Sequence, residues 1–344
     1  MKKVGNNCYG RCGLSHFATE YALNLTISYI DHKIFLQQDS NEKVPYGIDL
    51  VQSLNVPDEF VSNRKVCIID TGYDSNHLDL PSVDTGSNIT GVAAGNLDPF
   101  KDGNGHGTHV AGTIAAVANN NVGVVGVIGS GRINLHIVRV FDDRGRFVWS
   151  SSLVSAVEEC VDAGSNVINM SLGGPVSTRF ERDAYERIYE NDNVLMVAAA
   201  GNAANTKYSY PASYDSIISV AAVDSKERLA YFSQKNDQVE LAAPGVDVLS
   251  TIPGNSYKKY SGTSMASPHV AGVAALVWSN FPDRSAKDIR AALRASAKDL
   301  GANGKDNNFG FGLINAQRAY SYLEGNFTFN PTQAPTVCSD VSEW

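Results

Sequence analysis

The sequence predicts an α/β fold: a doubly wound, mostly parallel sheet flanked by helices. Two observations carry this. Short apolar runs such as KVCIID (65–70) and IISVAAV (217–223) do not alternate, as expected of strands covered on both faces. Between the runs lie segments of helical spacing, and strands that alternate with helices build parallel sheets.

Residues 1–43 have mixed polarity and weak periodicity, although NLTISYIDHKIFLQQ alternates enough for one or two strands. From Val44 the texture changes. KVCIID reads as a buried strand ending on Asp70. DGNGHGTHVAGTIAA (102–116) reads as a Gly/Asn loop followed by a helix of small residues. NLHIVRVF (134–141) is a strand and SSLVSAVEECVDAG a helix. VINMSL (167–172), a helix through ERDAYERIYEN, VLMVAAA (194–200) and IISVAAV continue the alternation. Helices follow at 264–279, 285–298 and 314–323, with Ser285 as an N-cap. EGNFTFNPTQAPTVCSDVSEW at the end is rich in Thr, Pro and Asn and reads as a linker or tail. The expected organisation is therefore 1–43, 44–324 and 325–344.

A chain of 344 residues buries a sizeable core without staples. The formal charge of −8 and the lack of a basic stripe exclude a general nucleic-acid binder. No apolar run is long enough to span a bilayer, so no membrane role is expected. MKKVGNNCYGRCG has two lysines with no apolar stretch behind them and is not a signal peptide. Five cysteines, Cys8, Cys12, Cys67, Cys160 and Cys338, leave at least one free or paired outside this chain.

Chemistry concentrates in SGTSMASPHVAG (261–272). Ser264 opens a helix, where the dipole and free N–H groups favour a developing oxyanion, and Gly262 permits close approach. Ser261, Thr263 and Ser267 lack that combination and read as turn and capping residues. His269 lies on the helix itself and reads as a packing histidine. A serine needs a base from elsewhere. His106 and His109 are the candidates, with His106 ahead because it sits in a first turn beside a cleft-forming loop. Asp70 ends a buried parallel strand, where open α/β sheets place their sites, and would fix the imidazole; alternatively it caps a turn. Asp74 and Asp79 are expected to be solvated or metal-bound. Asn202, at the end of VLMVAAAGN, is an uncharged donor for an oxyanion, or a turn residue.

DTG at 70–72, HGTHVAGT at 106–113 and GTSMASPHVAG at 262–272 together resemble the active-site motifs of the subtilisin-like serine proteases, in that family's order. The resemblance spans about residues 44–324, from VPYGIDLVQ to NNFGFGLINAQRA, and includes SLGG (171–174) and AAAGN (198–202). It implies a subtilisin-like three-layer sandwich and a serine endopeptidase that needs no cofactor for catalysis. Ser264 would be the nucleophile, His106 the base, Asp70 the orienting carboxylate, and Asn202 with the Ser264 N–H the oxyanion hole. Ser171, Leu172 and Gly173 would pair with an extended substrate, opposite Gly145. Ala199, Gly201 and Ser209 would line a primary pocket that is apolar and uncharged, favouring large apolar side chains. Arg144 and Arg146 would flank the groove and tilt it towards acidic neighbours. A processing protease for basic sites and a non-catalytic peptide-binding relative are the rival readings.

The resemblance also implies a structural calcium ion held by Glu42, Asp79 and Asn120 with the carbonyls of Ala118, Val122 and Val124. Residues 1–43 resemble the remnant of an inhibitory pro-region, cleaved near Ser40–Lys43, from a truncated or mispredicted N-terminus. The partners implied are polypeptide substrates and the chain's own pro-region, for a secreted monomeric zymogen. Cys67 and Cys160 are placed to bridge, with two buried free thiols as the alternative. Asn24, Asn88 and Asn326 are glycan acceptors in a secreted chain, whereas Asn169 is expected to be buried.

Overall fold

The computed structural model describes residues 42–83, 89–147 and 153–326. The segment before Glu42 and the tail after Asn326 lie outside them, and with these go the pro-region and tail readings, Cys8, Cys12, Cys338 and Asn24; Asn88 also lies outside the described residues. In chain order come α1 (Tyr46–Val51), β1 (Lys65–Asp70), β2 (Ile89–Ala93), α2 (His106–Ala115) and β3 (Asn134–Arg139). Then follow α3 (Leu153–Asp162), β4 (Val167–Met170), α4 (Arg179–Asn191), β5 (Leu195–Ala199), β6 (Ile217–Val223) and β7 (Val239–Pro244). The hairpin β8 (Val248–Ile252) and β9 (Ser256–Tyr260) precedes α5 (Thr263–Asn280), α6 (Ala286–Ser296) and α7 (Ala316–Leu323).

Seven strands form one parallel sheet in the order β2-β3-β1-β4-β5-β6-β7. The chain winds from β1 towards one edge and from β4 towards the other. The topological switch lies between these two neighbours, where doubly wound sheets place their ligands beyond the carboxyl ends of the strands.

The alternate residues of β1 show why its apolar run is unbroken. Val66 and Ile68 pack into the core shared with α2 and α5, and Cys67 and Ile69 into the core shared with α3 and α4. Helix α5 crosses the first of these and is buried from Met265 to Ser279, which explains why its apolar residues run all round it. Ser285 caps α6 through a capping box with Asp288. Cys67 and Cys160 form a disulfide between β1 and α3. It closes a loop of 93 residues, a constraint on the unfolded chain of about 4–5 kcal/mol.

Strands β2, β7 and the β8–β9 hairpin were not expected from the sequence. In β7 the cause is Glu240. It interrupts the apolar run VELAAP, yet it is buried because Arg290 and Arg294, fifty or more residues away, supply its counter-charges. In β9, SYKKY is polar because that strand is largely exposed.

Candidate active site

Asp70 is the last residue of β1. Its Oδ1 accepts the N–H of Thr71 at 2.7 Å and lies 2.7 Å from His106 Nδ1. A carboxylate can only accept, so Nδ1 carries the proton of a neutral His106 and Nε2 is left as the base. Nε2 makes no hydrogen bond among the described residues. Burial lowers the basicity of this imidazole, but the Asp70 charge and hydrogen bond, together with Asp102, outweigh it and hold His106 above its ordinary pKa.

His106 is the first residue of α2, and Gly107 lets that helix reach the strand end: a Cβ there would stand 2.2 Å from the carbonyl oxygen of Gly72. The N-terminus of α2 is capped by a residue the sequence reading did not weigh. Buried Asp102 accepts the N–H groups of Asn104, Gly105 and Thr108 and the hydroxyls of Thr71 and Thr108. A DGNG stretch reads as an ordinary loop, and only the fold shows that its aspartate is a hub. Thr71 in turn accepts the Gly107 N–H.

His109 and His269 are both fully buried. His109 Nε2 contacts the carbonyls of Val248 and Lys258, and His269 Nδ1 that of Met265. Burial pushes each down to about 4. They stay neutral inside the core, which leaves His106 as the histidine facing Asp70.

Ser264 stands in the first turn of α5. Ile69 pairs with Met170, which sets Ser171 beside Asp70 on the neighbouring strand. The Ser264 hydroxyl donates to the Ser171 carbonyl at 3.0 Å, and the Ser171 hydroxyl donates to the Ser264 carbonyl at 2.8 Å. The second bond follows from the sequence: Pro268 has no N–H to offer the Ser264 carbonyl one turn back, so that oxygen is free to accept. No Ser264–His106 hydrogen bond is present among the described residues. The hydroxyl instead rests on Ser171, one rotation about its χ1 bond away from other partners.

Asn202 follows β5. Its Oδ1 accepts both the N–H and the hydroxyl of Thr263, at 2.8 and 2.9 Å. Its Nδ2 and the Ser264 N–H have no acceptor among the described residues. Gly262 lies beside both: a Cβ there would stand 3.6 Å from each of these nitrogens, an ordinary van der Waals distance. Thr263, read as a turn residue, is thus the group that orients Asn202.

A cavity of about 450 Å³ adjoins Ser264. Leu172, Gly173, Ala199, Gly201, Asn202 and Ser209 line it, as the sequence leads one to expect. Its expected lack of charge is corrected: Lys207 lines it too, with Tyr208 and Gln234. Gly145 lies elsewhere, in a turn where its N–H donates to the Asp142 carbonyl. Arg146 does not offer a free charge, because Asp142 accepts its Nε at 2.7 Å.

Glu42, Asp79 and Asn120 converge as expected. Asp79 is fully buried rather than solvated and accepts the Asn120 side-chain amide and the Val124 N–H, each at 2.8 Å. Glu42 accepts the N–H groups of Asn119 and Asn120. Burial pushes the Asp79 carboxyl up, against the hydrogen bonds from Val124 and Asn120 and the pull of His77. The carbonyls of Ala118, Val122 and Val124 accept no hydrogen bond among the described residues. Among those residues no three His, Cys, Asp or Glu side chains form a metal cluster by themselves; a cation here would draw on the carbonyls. Hard oxygen donors around one buried carboxylate fit calcium. Asn326 is exposed, and Asn169 is fully buried as expected. Among the described residues no helix is long and apolar enough to cross a membrane.

Comparison with known proteins gives a consistent picture. The sequence model described as the Subtilase family (Peptidase_S8) matches residues 62–312. Subtilisin DY of Bacillus licheniformis is 42% identical over 284 residues, covering 81% of this chain and 99% of that protein. Subtilisin E of Bacillus subtilis (strain 168) is 38% identical over 307 residues, covering 86% of this chain and 75% of that protein. The crystal structure of the psychrophilic subtilisin-like protease Apa1 from the Antarctic psychrotroph Pseudoalteromonas sp. AS-11 aligns with a TM-score of 0.78 and 34% identity, over 86% of this chain and all of that one.

Proposed function

The chain belongs to the subtilase family and is a serine endopeptidase, and from that premise we propose that Asp70, His106 and Ser264 are its catalytic triad. The observation that carries the assignment is the 2.7 Å Asp70–His106 bond, on the strand next to the carbonyl that holds the Ser264 hydroxyl. With substrate bound, Ser264 Oγ turns from Ser171 to His106 Nε2. His106 takes its proton as Oγ attacks the scissile carbonyl. Asp70 holds the imidazole in the Nδ1–H tautomer and stabilises the imidazolium. Asn202 Nδ2 and the Ser264 N–H receive the oxyanion. His106 then protonates the leaving amine, the acyl-enzyme forms, and water admitted to the same base hydrolyses it.

The substrate is a polypeptide, lying extended along Ser171, Leu172 and Gly173, with Gly145 on the far side of the groove. The side chain before the cut enters the 450 Å³ cavity, whose Leu172, Pro175 and Ala199 walls suit a large apolar group. Calcium would be held by Glu42, Asp79 and Asn120 with the carbonyls of Ala118, Val122 and Val124. It would supply rigidity to the loop after α2 and no step of the reaction. Residues 44–324 are read as the peptidase domain of a secreted, monomeric enzyme, with 1–43 as pro-region that inhibits it and 325–344 as a tail. Hydrolysis of an unstructured protein substrate by the wild type, absent in Ser264→Ala, is the expected result. Equal hydrolysis by both would refute the assignment.

A further inference from the structure

Among the described residues that line the cavity beside Ser264, Lys207 is the only charged one. The rest of the wall is glycine, apolar, hydroxyl or amide. Its ammonium makes no hydrogen bond or ion pair among the described residues. On the same loop the Tyr208 hydroxyl donates to Asp237 Oδ1 at 2.9 Å. The lysine stands on a backbone that is held in place: its carbonyl accepts the side-chain amides of Gln234 and Asn236, at 2.6 and 3.1 Å, and its N–H donates to Asn205 Oδ1 at 2.9 Å. Gln234 and Asn236 are themselves buried. The cavity wall thus includes one lysine whose exposed side chain has no ion-pair partner among the described residues, on a backbone that three side chains anchor.

Resting on the peptidase reading above, we propose that Lys207 is a specificity-determining residue, and that it extends the enzyme's preference to glutamate at the position before the scissile bond (P1). An apolar cavity alone would reject a carboxylate, because the charge would lose its water and gain no partner. Here the Glu side chain lays its methylenes against Leu172 and Ala199 and presents its carboxylate to the lysine. The same charge repels lysine and arginine at P1, so the pocket discriminates by sign as well as by size. Because the cavity is open to solvent, the pair is partly screened. The expected preference for Glu over its neutral isostere Gln is about two- to five-fold in kcat/KM, on the scale of an exposed ion pair.

The test compares quenched peptides differing only at P1 (Glu, Gln, Leu, Lys), with the cut position verified by mass, for the full chain and its Lys207→Met and Lys207→Glu variants. Each variant is judged on the ratio of its own rates, so a general change in activity cancels. The wild type is expected to favour Glu over Gln about two- to five-fold, less at high salt, and to disfavour Lys. Lys207→Met should bring the Glu/Gln ratio to about one, and Lys207→Glu should invert the charge preference. A wild-type ratio near one, or a ratio unchanged in Lys207→Met while the Leu peptide is still cut, would overturn the role of Lys207 and leave the peptidase reading intact. If the wild type cuts none of the peptides and Ser264 does not react with a fluorophosphonate, the peptidase reading itself fails, and this inference with it.

Discussion

The two halves of the site are prepared in opposite ways. On the β1–α2 side, bonds are already made: Asp70 holds His106 and Thr71, and Asp102 gathers five donors from Thr71, the loop before α2 and its first turn. On the β5–α5 side, bonds orient the backbone and leave the working groups open: Thr263 engages the oxygen of Asn202, but the Asn202 Nδ2 and the Ser264 N–H have no acceptor among the described residues. The difference follows from what each half must do. A base must enter the reaction with its proton, charge and ring direction fixed, whereas oxyanion donors act only on charge that appears in the transition state.

This contrast can be broken from either side. The largest effect is expected from Asp70→Asn, which keeps the side chain's shape but offers Nδ1 a donor and so favours the wrong tautomer. A fall of about 10⁴-fold in kcat is expected, as for triad aspartates generally. A fall of less than ten-fold would show that His106 does not depend on that bond. On the other side, Asn202→Leu should lower kcat by about 10² to 10³, the scale known for the corresponding asparagine of subtilisin rather than one derived for this chain. KM should change little, because the lost donor serves the transition state. A rise in KM at constant kcat would place Asn202 in ground-state binding instead.

The smallest and most specific effect concerns Asp102. Its charge helps to hold His106 above the ordinary imidazole pKa. His106 must be neutral to act as base, so activity falls as pH drops through that raised pKa. Removing the charge in Asp102→Asn lowers the His106 pKa, and the acid limb of the kcat/KM profile should move to lower pH. A limb that stays in place, in a variant whose melting shows it folded, would mean that Asp102 is a helix cap and nothing more.

Local patterns carried much of this into the sequence. KVCIID and IISVAAV correspond to β1 and β6 residue for residue, because strands buried on both faces leave an uninterrupted apolar run. Asp70, His106, Asn202 and Ser264 were legible because each stands at the end of a strand or the start of a helix. What stayed hidden depends on partners far along the chain. The burial of Glu240 is explained only by Arg290 and Arg294, and Asp102 acquires its role when α2 folds back onto Thr71. Lys207 escaped notice for a related reason. The pocket was read from motif positions, while its wall also includes a loop residue outside every motif.

The central claim is that the open half of the site presents Ser264, and no other hydroxyl of SGTSMASPHVAG, to a base already held by Asp70. Reaction with a fluorophosphonate followed by peptide mapping tests it most directly. The adduct is expected on Ser264 alone, absent from Ser264→Ala, and formed far more slowly in Asp70→Asn. An adduct on Ser261, Thr263 or Ser267, or equal labelling of the wild type and Ser264→Ala, would contradict it.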